Sequence, residues 1–152
     1  PMGGRLSGSV DDKAPRFMVA ALKGPNSGNL DRVQMVKGWV GTDGKSHEKI
    51  HNIVWAGERK LDSAGDLPPI GNTVDIADAS YTNTIGSPEL QTVWTDPDFD
   101  PGVPAFYYLR VLEIPTPRWS TYDAKTLGID PPKDFPATIQ ERAWTSPIWY
   151  NP

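Results

Sequence analysis

Proline sets the tightest limit on how this chain can fold. Sixteen of its 152 residues are proline, roughly twice the usual share. Each one removes a backbone donor and clashes with the preceding turn of a helix. Helices have little room in such a chain, whereas strands joined by long, stiffened connections accommodate it. The apolar runs agree. Arg16 to Leu22 is a short buried-type run closed by Lys-Gly-Pro-Asn. Arg32 to Val40 (RVQMVKGWV) is rich in β-branched and aromatic residues and stops at Gly41-Thr42-Asp43-Gly44-Lys45. Asp-Gly between two such runs predicts a hairpin, with His47 to Trp55 as its second arm.

Further strands are expected at Thr73 to Tyr81, Glu89 to Thr95, Phe106 to Ile114 and Arg142 to Tyr150. Phe106 to Ile114 (FYYLRVLEI) is an unbroken run of β-formers suited to a central position. Pro147 implies an edge or a bulge in the last strand. Pro115 to Thr138 reads as a long Pro-rich connection, with one helical turn near Tyr122 to Lys125. Six or seven short strands over this length predict an all-β protein, an antiparallel β-sandwich of immunoglobulin-like type with long Pro-rich loops. A partly open barrel is the alternative, and the Cys-Trp-Cys signature of antibody domains is absent. Residues 1–15 read as a loop or linker from an upstream domain, and 16–152 as a single β-sandwich domain. A start of Pro-Met-Gly-Gly suggests a cut inside a longer polypeptide.

The formal charge of −4 argues against nucleic acid or an anionic membrane as partner. No apolar run reaches the length of a membrane span. With no cysteine, disulfides and thiolate ligands are excluded, but the compartment is left open.

The only two histidines lie in His47-Glu48-Lys49-Ile50-His51, which fits the H-E-x-x-H pattern of zinc peptidases. On a helix, four residues advance about 6 Å and both rings reach one metal. On a strand the same four residues span roughly 13 Å, and one ion cannot bridge them. The Asp43-Gly44 turn before the motif, the β-formers Ile50, Ile53, Val54 and Trp55 within and after it, and Gly57 beyond favour the strand. The motif is therefore expected to be a coincidence, carried by solvent-facing polar residues on an edge hairpin. Thr95-Asp96-Pro97-Asp98-Phe99-Asp100 could hold calcium, but it lacks EF-hand spacing and reads better as an acidic β-turn.

Ile114 to Asp123 (IPTPRWSTYD) follows the central strand and groups a guanidinium, an indole, hydroxyls and a carboxylate. Arg118, Trp119 and Tyr122, with Arg110 on the strand before them, are the candidate ligand or active-site-rim residues. The tail Gln140 to Tyr150 alternates rings with polar residues, and most of these rings are expected in the core or at a domain interface. No catalytic residue and no metal ligand is assigned.

The opening PMGG, LDRVQMVKGW, SYTNTIGSPELQTVWTDPDFDP, FYYLRVLEIPTPRWSTYDA and IQERAWTSPIWY together resemble the C-terminal end of bacterial proteins in the domain of unknown function 3604 family. The resemblance covers nearly the whole chain. Full-length members are similar to PHP and amidohydrolase-like metallohydrolases, with metal-binding histidines and aspartates in an N-terminal catalytic region. Many carry an export signal, which would make the parent periplasmic or secreted. The resemblance implies a C-terminal accessory domain whose partner is the upstream catalytic domain of the same polypeptide. A divalent metal would belong to that parent, and no cofactor to this part. A competing class is an independent binding module for carbohydrate or another ligand or surface partner, which requires an exposed platform of aromatic rings.

Overall fold

The computed structural model describes residues 1–8 and 13–152. Eight strands and one helix follow in chain order: β1 (Arg5–Ser7), β2 (Arg16–Leu22), β3 (Leu30–Val40), β4 (Ser46–Trp55), β5 (Glu89–Thr95), β6 (Ala105–Pro117), α1 (Trp119–Leu127), β7 (Thr138–Trp144) and β8 (Ile148–Asn151). Six form one sheet in the order β1-β8-β6-β3-β4, with β7 pairing the far half of β6, and β2 pairs β5 in a second sheet. The fold is an all-β sandwich with unequal sheets. All pairings are antiparallel except the parallel contact of β1 with β8.

Alternation along the strands builds the core. In β2, Phe17 and Val19 are buried while Met18 and Leu22 face out; in β5, Leu90 is buried between exposed Glu89 and Gln91. Across the gap, β3 and β6 offer Val33, Met35 and Tyr107, and β8 adds Tyr150. Phe17 lies 4.9 Å from Tyr107 and 5.9 Å from Trp94 between ring centroids, which joins the two sheets through aromatic contacts.

Several expectations change. Residues 1–15 are not all linker, because β1 lies within them and extends the large sheet beside β8; residues 9–12 of that expected loop lie outside the described residues. Thr73 to Tyr81 is not a strand. Asp75 Oδ1 accepts the Ala77 and Asp78 amides, at 2.9 and 3.1 Å, and closes a turn bounded by one bridge to Ser80. A side chain that caps its own backbone competes successfully with the extended form there. The expected last strand divides into β7 and β8. Thr145, Ser146 and Pro147 interrupt it where proline cannot donate, and Thr145 fills the gap through bonds to Leu109 N (2.9 Å) and O (3.1 Å). The helical turn expected near Tyr122 grows to nine residues. It ends at Gly128, whose φ of 66° is the left-handed cap that glycine adopts without strain.

The 33-residue excursion between Trp55 and Glu89 has no strand of its own, yet it is tied down. Arg59 Nη2 reaches the buried Asp31 Oδ1 at 2.6 Å and Asp31 O at 3.0 Å, and Arg59 Nη1 donates to Pro68 O. Gln140 Nε2, from β7, satisfies the other Asp31 oxygen at 2.8 Å.

Candidate functional site

Two clusters of polar and aromatic chemistry stand out. The first lies between the sheets. Lys37 sits on β3 at the same parity as Val33, Met35 and Trp39, so its side chain enters the core side, opposite Tyr107 on β6 and Lys49 on β4. Asp96 follows β5 and comes from the other sheet. Lys37 Nζ lies 2.6 Å from Asp96 Oδ2 and donates to Asp98 O at 2.7 Å. The Tyr107 hydroxyl donates to the same Asp96 oxygen at 2.8 Å, and the Asp98 amide donates to Asp96 Oδ1 at 3.0 Å. The Lys37 and Asp96 side chains are 7% and 0% exposed. Burial and the Asp96 contact raise the Tyr107 phenol well above its ordinary range.

His51 completes the cluster. Its Nε2 is buried with no hydrogen-bond partner among the described residues, 3.7 Å from Asp98 Oδ2, and its ring lies 5.2 Å from Trp94. Burial, then the Lys49 charge, lowers its pKa. A hydrogen bond from Lys49, at 2.6 Å, holds the Asp98 carboxyl below its ordinary value.

His51, Asp96 and Asp98 place one nitrogen and two carboxylate oxygens within 4.8 Å of one another, so a metal must be considered. The donors are already in use. Each carboxylate oxygen facing the group accepts a lysine ammonium at 2.6 Å, and a divalent cation would sit against both positive charges. With those donors paired, the group forms an ion-pair network between the two sheets. The acidic segment after β5 is a turn, as expected, but Asp96 points into the core instead of to solvent.

The histidine pair is resolved by backbone conformation. Both residues lie in β4, an edge strand, four residues apart. His47 is half exposed, stacks on Trp39 at 5.4 Å and lies 3.2 Å from Asp43 Oδ1. His51 departs from the expected solvent-facing placement. Its register partner is Met35 of the core face, so it turns toward the second sheet.

The second cluster lies on the outer face of the large sheet. Arg110 donates from Nε to Gln34 Oε1 at 2.8 Å, Gln34 to Asn52 Oδ1 at 2.9 Å, and Asn52 to Gly65 O at 3.1 Å. Two positions along β6, Tyr108 and Phe106 lie near-parallel (10°) with centroids 6.3 Å apart, and Trp149 lies 5.4 Å from Phe106. Trp144 is the register partner of Arg110. Trp144 and Trp149 have opposite parity in the sequence, yet both face outward, because the break at 145–147 resets the alternation.

The candidates of the Pro-rich segment do not join Arg110. Eight residues of extended chain, roughly 26 Å, separate it from Arg118. Arg118 is the N-cap of α1, and its Nε donates to Pro136 O at 3.0 Å. Trp119 is 77% exposed, with Tyr122 5.9 Å away. Sequence reasoning missed Lys37 and Tyr107, and placed Asp96 only within an acidic turn. The one signal available was a lysine at core parity among Val33, Met35 and Trp39.

Fold and site together define a two-sheet β-sandwich module, braced by a buried ion-pair network and bearing an aromatic outer face. The chain belongs to the DUF3604 family, described as a protein of unknown function, whose model matches residues 1–152. No curated protein and no solved structure matches it.

Proposed function

We propose that this chain is a non-catalytic, C-terminal accessory β-sandwich of a larger PHP-like, metal-dependent hydrolase, docked on the catalytic domain of the same polypeptide. The observation that carries the reading is the bare outer face of the two-stranded sheet. Met18 is 88% exposed and Leu22 76%, with Val93 exposed beside them. Among the described residues neither β2 nor β5 pairs with a third strand. A two-stranded sheet is marginal alone, and large apolar side chains on it favour a covering neighbour. Trp119, 77% exposed on a short helix, suits a rim contact to the neighbour's active site, with Tyr122 5.9 Å from it and Arg118 at the helix N-cap. The divalent metal belongs to the catalytic domain in this reading.

The test expresses the upstream region and this chain as separate polypeptides and asks whether they co-purify. Met18→Glu with Leu22→Glu should abolish co-purification and leave the thermal midpoint of the isolated chain within about 2 °C of wild type. Undiminished association of that double variant refutes the docking face. Trp119→Ala in the complete protein should slow metal-dependent hydrolysis of chromogenic esters or phosphoesters more than it lowers the melting temperature; unchanged turnover refutes the rim contact.

A further inference from the structure

The outer face of the large sheet, opposite the proposed docking face, has a different chemistry. Along β3 the outward positions Gln34, Val36 and Gly38 are all buried, Val36 completely, although among the described residues no second layer of strands covers them. Their register neighbours on β6, Arg110, Tyr108 and Phe106, supply the cover. The far end of the Phe106 ring occupies the space above Gly38: a Cβ there would lie 2.3 Å from Cζ and 2.5 Å from Cε1. Tyr108 is near-parallel to it, and Arg110 is bonded to Gln34. Three planar groups thus lie side by side across β3. Trp149 flanks this row at one end and Trp144 at the other, both exposed.

The face also carries positive charge. Arg110 lies in the row, Arg142 pairs with Leu112 on the same side, and Arg5 is the register neighbour of Trp149. Among the described residues no carboxylate pairs with any of these three. Carboxylates border the face on the β4 side: Glu48 opposite Gly38, and Asp66 and Asp98, which line the hollow that Arg110 also lines. In a chain of net charge −4, this is a local concentration of unpaired guanidinium beside open rings. Aromatic rings offer flat surfaces to the C–H faces of sugar rings, while guanidinium groups make paired hydrogen bonds to carboxylates.

We propose that this face binds an acidic polysaccharide, its sugar rings laid on Phe106, Tyr108, Trp149 and Trp144 and its uronate carboxylates met by Arg110, Arg142 and Arg5. A polyanion of repeating rings matches both features at once; a neutral glycan would leave the guanidiniums without a role. The proposal concerns a surface separate from Met18 and Leu22, so either reading can fail while the other stands.

The test titrates the chain with polygalacturonate, with dextran as the neutral counterpart and single-stranded RNA as a second polyanion, following tryptophan fluorescence and calorimetry. Polygalacturonate should bind, more weakly as salt rises, and dextran and RNA should not. Trp149→Ala and Trp144→Ala should each weaken binding about tenfold, and Arg142→Gln should weaken it and flatten its salt dependence. All three side chains are exposed, so thermal midpoints should stay near wild type; if either tryptophan variant unfolds, Arg142→Gln and the salt dependence still decide. No binding of polygalacturonate, equal binding of dextran, tighter binding of RNA, or full affinity in these variants would each overturn the proposal.

Discussion

Removing Asp96 exposes what the buried network contributes. Asp96→Ala leaves the Lys37 ammonium, 7% exposed, with the Asp98 carbonyl at 2.7 Å as its remaining hydrogen-bond acceptor, beside the Trp39 and Tyr107 rings, and strips the Tyr107 hydroxyl of its acceptor at 2.8 Å. Breaking a buried pair by deleting one partner costs about 3–5 kcal/mol, because the surviving charge stays desolvated. For a domain of this size each kcal/mol moves the melting point by roughly 2–4 °C, so a fall of about 6–20 °C is expected. Lys37→Met with Asp96→Leu removes both charges and should recover much of the loss, since an apolar pair of similar volume is often no worse than the ion pair it replaces. Urea unfolding of the wild type, Lys37→Met, Asp96→Leu and the variant carrying both closes a thermodynamic cycle. A loss below about 1 kcal/mol in Asp96→Ala would refute the reasoning: the pair would then be hydrated, and the clamp between the sheets would not exist.

The His51 pKa lies below the ordinary histidine value of 6.5 because the ring is buried beside Lys49, so the unfolded chain binds its proton first; stability should fall as pH drops below about 6.5 and level off beneath the folded value. His51→Phe should flatten that decline in urea midpoints measured from pH 7.5 to 5, and an unchanged slope would show that the imidazole is not what titrates. Gly38→Ala places a Cβ 2.3 Å from the Phe106 ring; overpacking of this kind costs about 1–3 kcal/mol, and displacement of the ring should shift the emission of nearby Trp149. A wild-type midpoint would mean that Phe106 does not lie over Gly38.

What the chain discloses by itself is its strand content. Proline density and β-branched runs exclude long helices, and the bounds of β2 and β5 are readable to the residue, because alternation and turn residues are local properties. The rejection of the zinc motif is equally local: Asp43-Gly44 and the β-formers around the histidines dictate extended backbone, and extended backbone separates the rings. Thr73 to Tyr81 has the composition of a strand but forms a turn, because Asp75 captures nearby amides, a contest that composition does not reveal. Which residues meet across the sandwich was decided by tertiary structure alone. Lys37 and Asp96 stand 59 positions apart, and nothing in either neighbourhood names the other. Trp144 and Trp149 share a face only because three residues between them leave the strand, and pairing with β6 then sets their orientation. Periodicity states which side of a strand is apolar; long-range register determines what that side touches, because pairing energy accrues only once distant segments are brought together.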